Sequence, residues 1–530
     1  MSNGRNEAFR RFAMQTAILA WGATAAFWVL YVIDHYWLSR TAASAQYSGA
    51  FGRYFSFDPD SNAVASLSGV NIAVFGIVIT IVSIIVQLSA DRYTGVARMF
   101  LRDRVNIRVA AFYVVACVIS VWLSASIQDD YVPRATLVAM LCMTTGGLVI
   151  MMPYFGYVFW FLDPQNLIRH IRRDGVADAA KGAAEHDEAK CFEAQAQTLF
   201  ALEELTDIAN NSISGKDKII ASSVADALRD FAIDYLKVKP TASNAWFSIG
   251  PDIRLNPDFV AMDAESLSDL EARHTWIEWK VMRQLLSIYA EALGSMRDIN
   301  YVIAIDTRYI GEAAAKADDT ELVNLVFRFM NSYLRSTLNA RDVRTAYNVL
   351  NQYRKLGETM LAEGKHQAAV DAVKHMKYYG LISFEMDLHF VTETVGYDLG
   401  ALAQLANELG SPAEQEILAE FLELDRAPFV REQENALLGV RKAQVKLAVY
   451  YLASGQDDRA RAIANDMRDE PAERMRRVYR QLAAVESKDF WEIIDRGRNF
   501  EYTPPKQREC LGAFFELLHV ETANAAPPSE

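Results

Sequence analysis

Six small or polar side chains recur along one strongly apolar stretch. Gly69, Ala73, Gly76, Thr80, Ser83 and Gln87 follow one another at steps of four and three residues, a spacing that places them on one stripe of a helix. Two kinds of chemistry need such a stripe. Small residues let transmembrane helices approach closely, which makes a packing seam. Polar side chains within a membrane also line water-filled paths. No full charge stands on the stripe. The chain then runs without a break into DRYTGVARMFLRDRVNIR, which carries Arg92, Arg98, Arg102, Arg104 and Arg108. If identical subunits set the stripe around an axis, Arg98, Arg102 and Arg104 form a basic mouth on the cytoplasmic side, and rings of that sign favour anions.

Other candidate chemistry is thin. There is no GxxxxGK[ST] or GxGxxG loop to cradle a phosphate. HExxH, the G-x-S-x-G elbow and the kinase motif set are absent as well. Ser214-Gly215-Lys216-Asp217 has a Gly-Lys pair without the loop spacing. His186 and Cys191 offer two of the three or four ligands that a zinc site needs. Glu203-Glu204 reads as a solvated helix face and Asp318-Asp319 as a turn. Cys117, Cys142, Cys191 and Cys510 show no metal-ligand spacing and read as reduced thiols. No enzyme, cofactor or metal is expected.

The elements that carry the stripe are apolar helices. Four spans are expected at about 12–38, 66–90, 109–127 and 136–162, each long enough to cross a bilayer. The first is too long for a signal peptide, and Ala43-Ser44-Ala45 lies too far beyond it. Arginines fix the orientation. Three precede the first span, five follow the second and three follow the fourth, whereas the two other loops hold two and one. Four spans with the N and C termini in the cytoplasm satisfy every segment, and the expected location is an inner membrane. In the fourth span, Thr144 to Gly147 favours close helix contact, and Pro153 is a candidate kink.

Charge separates the membrane part from the rest. Residues 1–175 contain 14 Arg, no Lys and 10 acidic side chains, a balance of +4; the remaining 40 basic and 57 acidic groups give −17. This is not the footprint of a nucleic-acid binder. Residues 176–264 read as a juxtamembrane helical linker. It has two helices within 191–238, broken near Asn211 to Gly215. An irregular loop follows over 239–264, with room for short strands or an unrecognised active site. Residues 265–521 read as helical throughout. Turns with glycine at 364, 410 and 455 stand 46 and 45 residues apart, and a turn at Ala317-Asp318-Asp319 lies about one interval earlier. Helix pairs at that period predict an α-solenoid, and AQVKLAVYYLASGQDDRARAIANDM resembles one tetratricopeptide-type pair. The tail 522–530 is expected to be disordered. The fold class is therefore all-α: a four-helix transmembrane domain followed by a cytoplasmic helical-repeat-like domain.

The stretch SLSGVNIAVFGIVITIVSIIVQLSADRYTGVARMFLRDRVN resembles the domain of unknown function 2254 family of bacterial predicted membrane proteins. The resemblance lies in the Ser- and β-branched-rich helix and in Phe100-Leu101-Arg102-Asp103-Arg104. This chain has Tyr93-Thr94-Gly95 where family members tend to have Ser-Pro-Arg. A second echo is LEELTDIANNSISGKDKIIASSVADAL, Leu202 to Leu228. It keeps Asp207-Ile208-Ala209 but has Gly215-Lys216-Asp217 in place of Asn-Asp-Pro. The resemblance covers about the first half and implies topology rather than activity.

Two functions follow as expectations. The first is a homo-oligomeric channel-like or transport assembly for a small ion, an anion by the sign of its mouth, with a cytoplasmic sensing or assembly domain. The alternative is a membrane-anchored scaffold whose helical repeats bind a cytoplasmic protein partner. Membrane lipids are partners in both.

Overall fold

The computed structural model describes residues 18, 21–33, 36, 63–90, 100, 103–126, 134–425, 433–490, 496–497 and 499–520. Two compact units divide after Leu167, and the described residues form helices and turns without a strand. Gly175, the expected boundary, lies inside a helix.

The first unit contains α1 (Trp21–Ile33), α2 (Ala63–Ala90), α3 (Arg104–Ser126) and α4 (Arg134–Leu162). Among the described residues, three segments are long and apolar enough to cross a membrane: Ser68–Gln87, Arg104–Ser126 and Thr136–Leu162. Of the expected first span, α1 is described and most of the remainder lies outside the described residues. The third helix starts earlier than its apolar run. Asp103 caps it by accepting from the backbone N–H groups of Val105 at 2.9 Å and Asn106 at 3.0 Å, so Arg104 and Arg108 are drawn into the first two turns. α4 continues through Pro153. Phe27, Ile119, Leu123, Leu137 and Met140 form a buried cluster that joins α1, α3 and α4.

The second unit opens with the remainder of α5 (Pro164–Ala184), then α6 (Glu188–Ser214) and α7 (Lys218–Val238). The Ser214 to Asp217 segment is the turn between the last two: Lys216 takes the left-handed φ of 58° and Asp217 caps α7. The loop 239–264 contains two one-turn helices, Asn244–Phe247 and Pro251–Arg254, rather than strands. Its Trp246, Ile253 and Phe259 are fully buried. Gln195 Nε2 donates to the carbonyls of Trp246 at 3.0 Å and Ser248 at 2.7 Å, so the loop is a plug that caps the end of the repeat core.

After α8 (Ala264–Ala272) and α9 (Trp276–Leu293), five helices of 20 residues follow: α10 (Arg297–Lys316), α11 (Thr320–Asn339), α12 (Val343–Ala362), α13 (His366–Glu385) and α14 (His389–Glu408). Then come α15 (Glu414–Leu422), α16 (Gln433–Ala453), α17 (Asp457–Asp466), α18 (Ala472–Ala484) and α19 (Leu511–Leu517). Each 20-residue helix ends in the same turn. Asp318, Arg341, Gly364, Asp387 and Gly410, 23 residues apart, take φ of 59°, 51°, 69°, 57° and 62°. The next N–H reaches back five residues to a carbonyl of the last helical turn, as in Asp342 to Thr337 at 3.1 Å and Lys365 to Met360 at 2.8 Å. This is a Schellman ending.

Identical lengths and identical turns bring every second helix into the same layer. One layer runs α7, α10, α12, α14, α16 and the other α6, α9, α11, α13, α15, as in an α-solenoid. Equivalent contacts recur one helix pair later. A Cβ at Gly311 would lie 2.8 Å from Leu356 Cδ1, and one at Gly357 would lie 3.2 Å from Leu402 Cδ2. Both glycines and both leucines are 46 positions apart.

The turns make opposite predictions at neighbouring positions. Gly364→Ala should lower stability by about 1 kcal/mol, because a Cβ is strained at positive φ. Asp387→Gly should raise it by about 0.5 kcal/mol by removing that strain. Urea unfolding of the full chain followed by circular dichroism distinguishes the two signs.

Candidate functional site

The stripe residues lie on the surface of the first unit. α2 packs through a different row: Ser68, Asn71, Val78 and Val82 are buried, and Phe75 stacks on Tyr113 with ring centroids 6.0 Å apart. One step along a helix turns about 100°, so the stripe sits roughly that far around from the packed row. Gly69, Ala73, Gly76, Thr80, Ser83 and Gln87 are all exposed within the unit, and a Cβ at Gly69 or Gly76 would meet nothing within 4 Å. Of the three arginines assigned to the mouth, Arg104 is exposed on the first turn of α3. Arg98 and Arg102 lie outside the described residues.

The packed row carries polar chemistry that the stripe reading missed. Asn71 Nδ2 donates to Ser120 Oγ at 3.1 Å and lies 3.6 Å from Met140 Sδ. Ser68 Oγ donates to the Ser120 carbonyl at 3.2 Å. One amide thus ties α2, α3 and α4 together where water is excluded. Small residues do serve packing, but in α4: Gly147 receives the Tyr113 ring, which would lie 3.3 Å from a Cβ there, and its carbonyl accepts from Tyr113 Oη at 2.8 Å. The signal for the knot was an asparagine inside an apolar run.

In the second unit, charged side chains are ordered along the α7 to α16 layer. Arg229 Nη1 donates to Asp306 Oδ1 at 2.7 Å. Arg308 Nε donates to Gln352 Oε1 at 2.8 Å, and Arg354 Nε lies 3.2 Å from Asp398 Oδ1. The last two contacts are repeat equivalents: both donors and both acceptors are 46 positions apart. Each arginine also pairs with the glutamate four residues on, Glu312 and Glu358. Asp306 is almost fully buried, and burial pushes its carboxyl up to about 7 although Arg229 pulls it down.

At the far end of this layer a cleft of about 370 Å³ is lined by Arg354, Tyr397, Asp398, Lys446, Arg496 and Phe500 among others. The chain's own C-terminal segment forms one wall. Arg496 Nη1 donates to Asp398 Oδ1 at 2.5 Å and Nη2 to the Tyr347 carbonyl at 2.6 Å. Its guanidinium lies 4.2 Å from the Tyr347 ring centroid. Phe500 stacks on Tyr397 at 4.9 Å, while Lys442 pairs with Glu501. Chemically, this layer grips a basic residue and an aromatic one four positions on.

The remaining sequence candidates take structural roles. Cys191 is buried and its thiol faces the carbonyls of Gly182 at 3.6 Å and Glu185 at 3.5 Å, whereas His186 is exposed. Glu203 binds the buried Lys280 at 2.8 Å and Glu204 is itself buried, so this pair is not a solvated face. Asp319 caps α11 and pairs with Lys239 at 2.6 Å. Among the described residues no group of three or more His, Cys, Asp or Glu side chains could hold a metal ion.

Residues 10–206 match the model of a family described as "Predicted membrane protein (DUF2254)". That is the first part of the chain, so most of the second motif, Leu202 to Leu228, falls beyond the match. The match and the three apolar helices support a membrane protein. No curated protein matches the sequence. Among solved structures, "Circular tandem repeat protein with novel repeat topology and enhanced subunit contact surfaces" aligns at 16% identity and a TM-score of 0.29, over 63% of this chain and 80% of that chain.

Two outcomes follow from the charged layer. Arg496→Ala leaves Asp398 with Arg354 alone, and removing one partner of a buried pair costs about 3 kcal/mol; faster trypsin cleavage near Lys506 would report release of the segment. The folded Asp306 carboxyl holds its proton to about pH 7, while an unfolded one loses it near about 4. The folded state therefore carries the extra proton between those values, and stability falls as pH rises through that window. Asp306→Asn should flatten this decline in melting temperatures taken from pH 4 to 8.

Proposed function

We propose that the chain is a multi-pass inner-membrane protein with both termini in the cytoplasm, assembled as a homo-oligomer around the α2 stripe, and that the assembly is channel-like. The observation that carries this reading is the position of the stripe. Its six side chains are exposed on the membrane unit, and Thr80, Ser83 and Gln87 are poor neighbours for lipid tails, in which their polar groups find no partner. A second copy supplies both close backbone approach and hydrogen-bond partners. Arg104 and the neighbouring arginines then surround the cytoplasmic entrance, and a small anion is the expected passenger. The helical-repeat unit serves assembly or sensing. No step in this reading is enzymatic.

A second reading, a membrane-anchored scaffold, is favoured by a different observation. The α12–α14–α16 layer holds Arg496 and Phe500 of the C-terminal segment through a buried ion pair and stacked rings. A cytoplasmic protein partner with a similar basic and aromatic segment fits the same groove, as concave solenoid surfaces often bind peptides.

Single cysteines test both. Cys117 and Cys142 are replaced, and cysteines are placed at Ala73, Gly76, Thr80 and Ser83, with Val78 and Val82 as packed controls. The channel-like assembly predicts oxidative cross-links between copies at stripe positions, labelling by a charged impermeant thiol reagent, and anion flux from liposomes. Cross-links without labelling or flux would reduce the stripe to a seam. Absence of cross-links at all four positions would overturn the assembly, and pull-down through the Arg496 groove would become the next measurement.

A further inference from the structure

A second cleft, of about 450 Å³, opens between α11 and α13 in the other layer of the solenoid. α11 contributes Arg328, Asn331, Ser332 and Arg335, and α13 contributes His375, Tyr378 and Tyr379. Every one of these side chains carries a hydrogen-bond donor, and none is a carboxylate. Among the described residues neither arginine is paired with an acid. Arg328 lies over the Trp279 ring, 5.8 Å from its centroid, and Arg335 stands in the same lining as Tyr378 and Tyr379 of α13.

The internal repeat shows why these cations are unpaired. Moving one helix pair along, 46 positions, carries Arg328 onto Lys374 and Asn331 onto Lys377. Those lysines face α15 and are neutralised there: Lys374 Nζ lies 2.7 Å from Glu416 Oε1, and Lys377 pairs with Glu420 and with Glu423. Moving the same distance back, the places of Glu416, Glu420 and Glu423 are held by Val370, Lys374 and Lys377. The α11–α13 step therefore keeps cationic donors but supplies no counter-charge, in a unit whose overall balance is acidic. Asp371 stands one turn before His375 on α13, and its carboxylate is engaged by Gln367 at 3.0 Å.

The back of the cleft is fixed. The Tyr353 hydroxyl, on a fully buried side chain of α12, donates to Asn331 Oδ1 at 3.0 Å and lies 3.2 Å from His375 Nδ1. That bond occupies the amide oxygen of Asn331, so the side chain presents its NH₂ group to the cleft. It also fixes the imidazole, which is further held near the Phe327 ring, 6.3 Å away. Two guanidiniums, one amide, one hydroxyl and two phenols thus surround a space within the usual range for small-ligand sites. Arginine forks and neutral donors of this kind match the three oxygens of a phosphoryl group. Tyr378, half-exposed at the rim, offers a ring face for the organic part.

We infer that the α11–α13 cleft binds a phosphate monoester, with Arg328 and Arg335 holding the phosphoryl oxygens and the Asn331 amide positioning them. The phosphoryl group belongs to a soluble metabolite or to a lipid headgroup, and the same pocket chemistry serves either.

The test uses the full chain in neutral detergent, with phenyl phosphate as the probe and isothermal titration as the readout. Saturable binding is expected, with inorganic phosphate competing. Arg335→Gln and Arg328→Gln should each weaken binding at least tenfold, whereas Arg461→Gln, an exposed arginine on α17, should leave it unchanged. Circular dichroism on the same samples verifies the fold, and Asn331→Ala gives a milder variant expected to weaken binding severalfold. Competition by dihexanoyl phosphatidic acid would place the ligand in the lipid class, and competition confined to soluble monoesters would place it among metabolites. No saturable binding to wild type, or equal binding by wild type and both arginine variants, overturns the inference.

Discussion

The repeat unit depends on one backbone constraint: a left-handed residue every 23 positions. At each of five consecutive turns a single residue reverses φ and lets the following N–H close the last helical turn. Because the turns are equal and the helices between them are all 20 residues long, each helix leaves its predecessor in the same direction. Side chains 46 positions apart therefore meet equivalent neighbours. Gly311 against Leu356 and Gly357 against Leu402 are the clearest case; a bulkier residue at either glycine would push two helices of one layer apart. The polar contacts obey the same constraint. Arg308 reaches Gln352 and Arg354 reaches Asp398 only because the register never slips.

Much of this was legible in the sequence, and what was hidden had a physical reason. Glycine marks a left-handed turn plainly, so Gly364, Gly410 and Gly455 disclosed the 46-residue pair. The half-repeat stayed hidden because Arg341 and Asp387 occupy the same conformation at some cost, and such residues are not read as breakers. In the membrane unit, helix periodicity groups the small and polar side chains into one row but cannot say which row meets a neighbour. The row that packs begins at Ser68 and Asn71, one position away from Gly69, and the difference arises from Ser120 and Met140 on other helices. The loop 239–264 looked irregular because its prolines and glycine interrupt any long helix. Its tryptophan and phenylalanines nevertheless fold it into short turns around Trp246, for which Gly182 clears the space: a Cβ there would lie 2.0 Å from the indole.

Charge is distributed with similar economy. The acidic excess seen in the sequence is not a uniformly repulsive surface. Along the α7 to α16 layer, acids are consumed by arginines from the preceding helix, and on α15 they are consumed by lysines of α13. Buried partners of this kind add register more than net stability, since desolvation offsets much of the attraction. Positions that break the pattern are therefore informative, and the unpaired cations of α11 are such a break.

The segment carrying Arg496 has a consequence for how the unit comes apart. A linear array of repeats holds together through nearest-neighbour interfaces, so its ends fray while its middle stays intact. Arg496 departs from that rule. Its guanidinium touches Asp398 and Tyr347, which stand 98 and 149 positions earlier in the chain. Contacts this distant form only after the intervening helices are in place, which makes them late events in folding. Once made, they couple α12 and α14 to the C-terminal end, so the last repeats open together instead of peeling away one helix at a time.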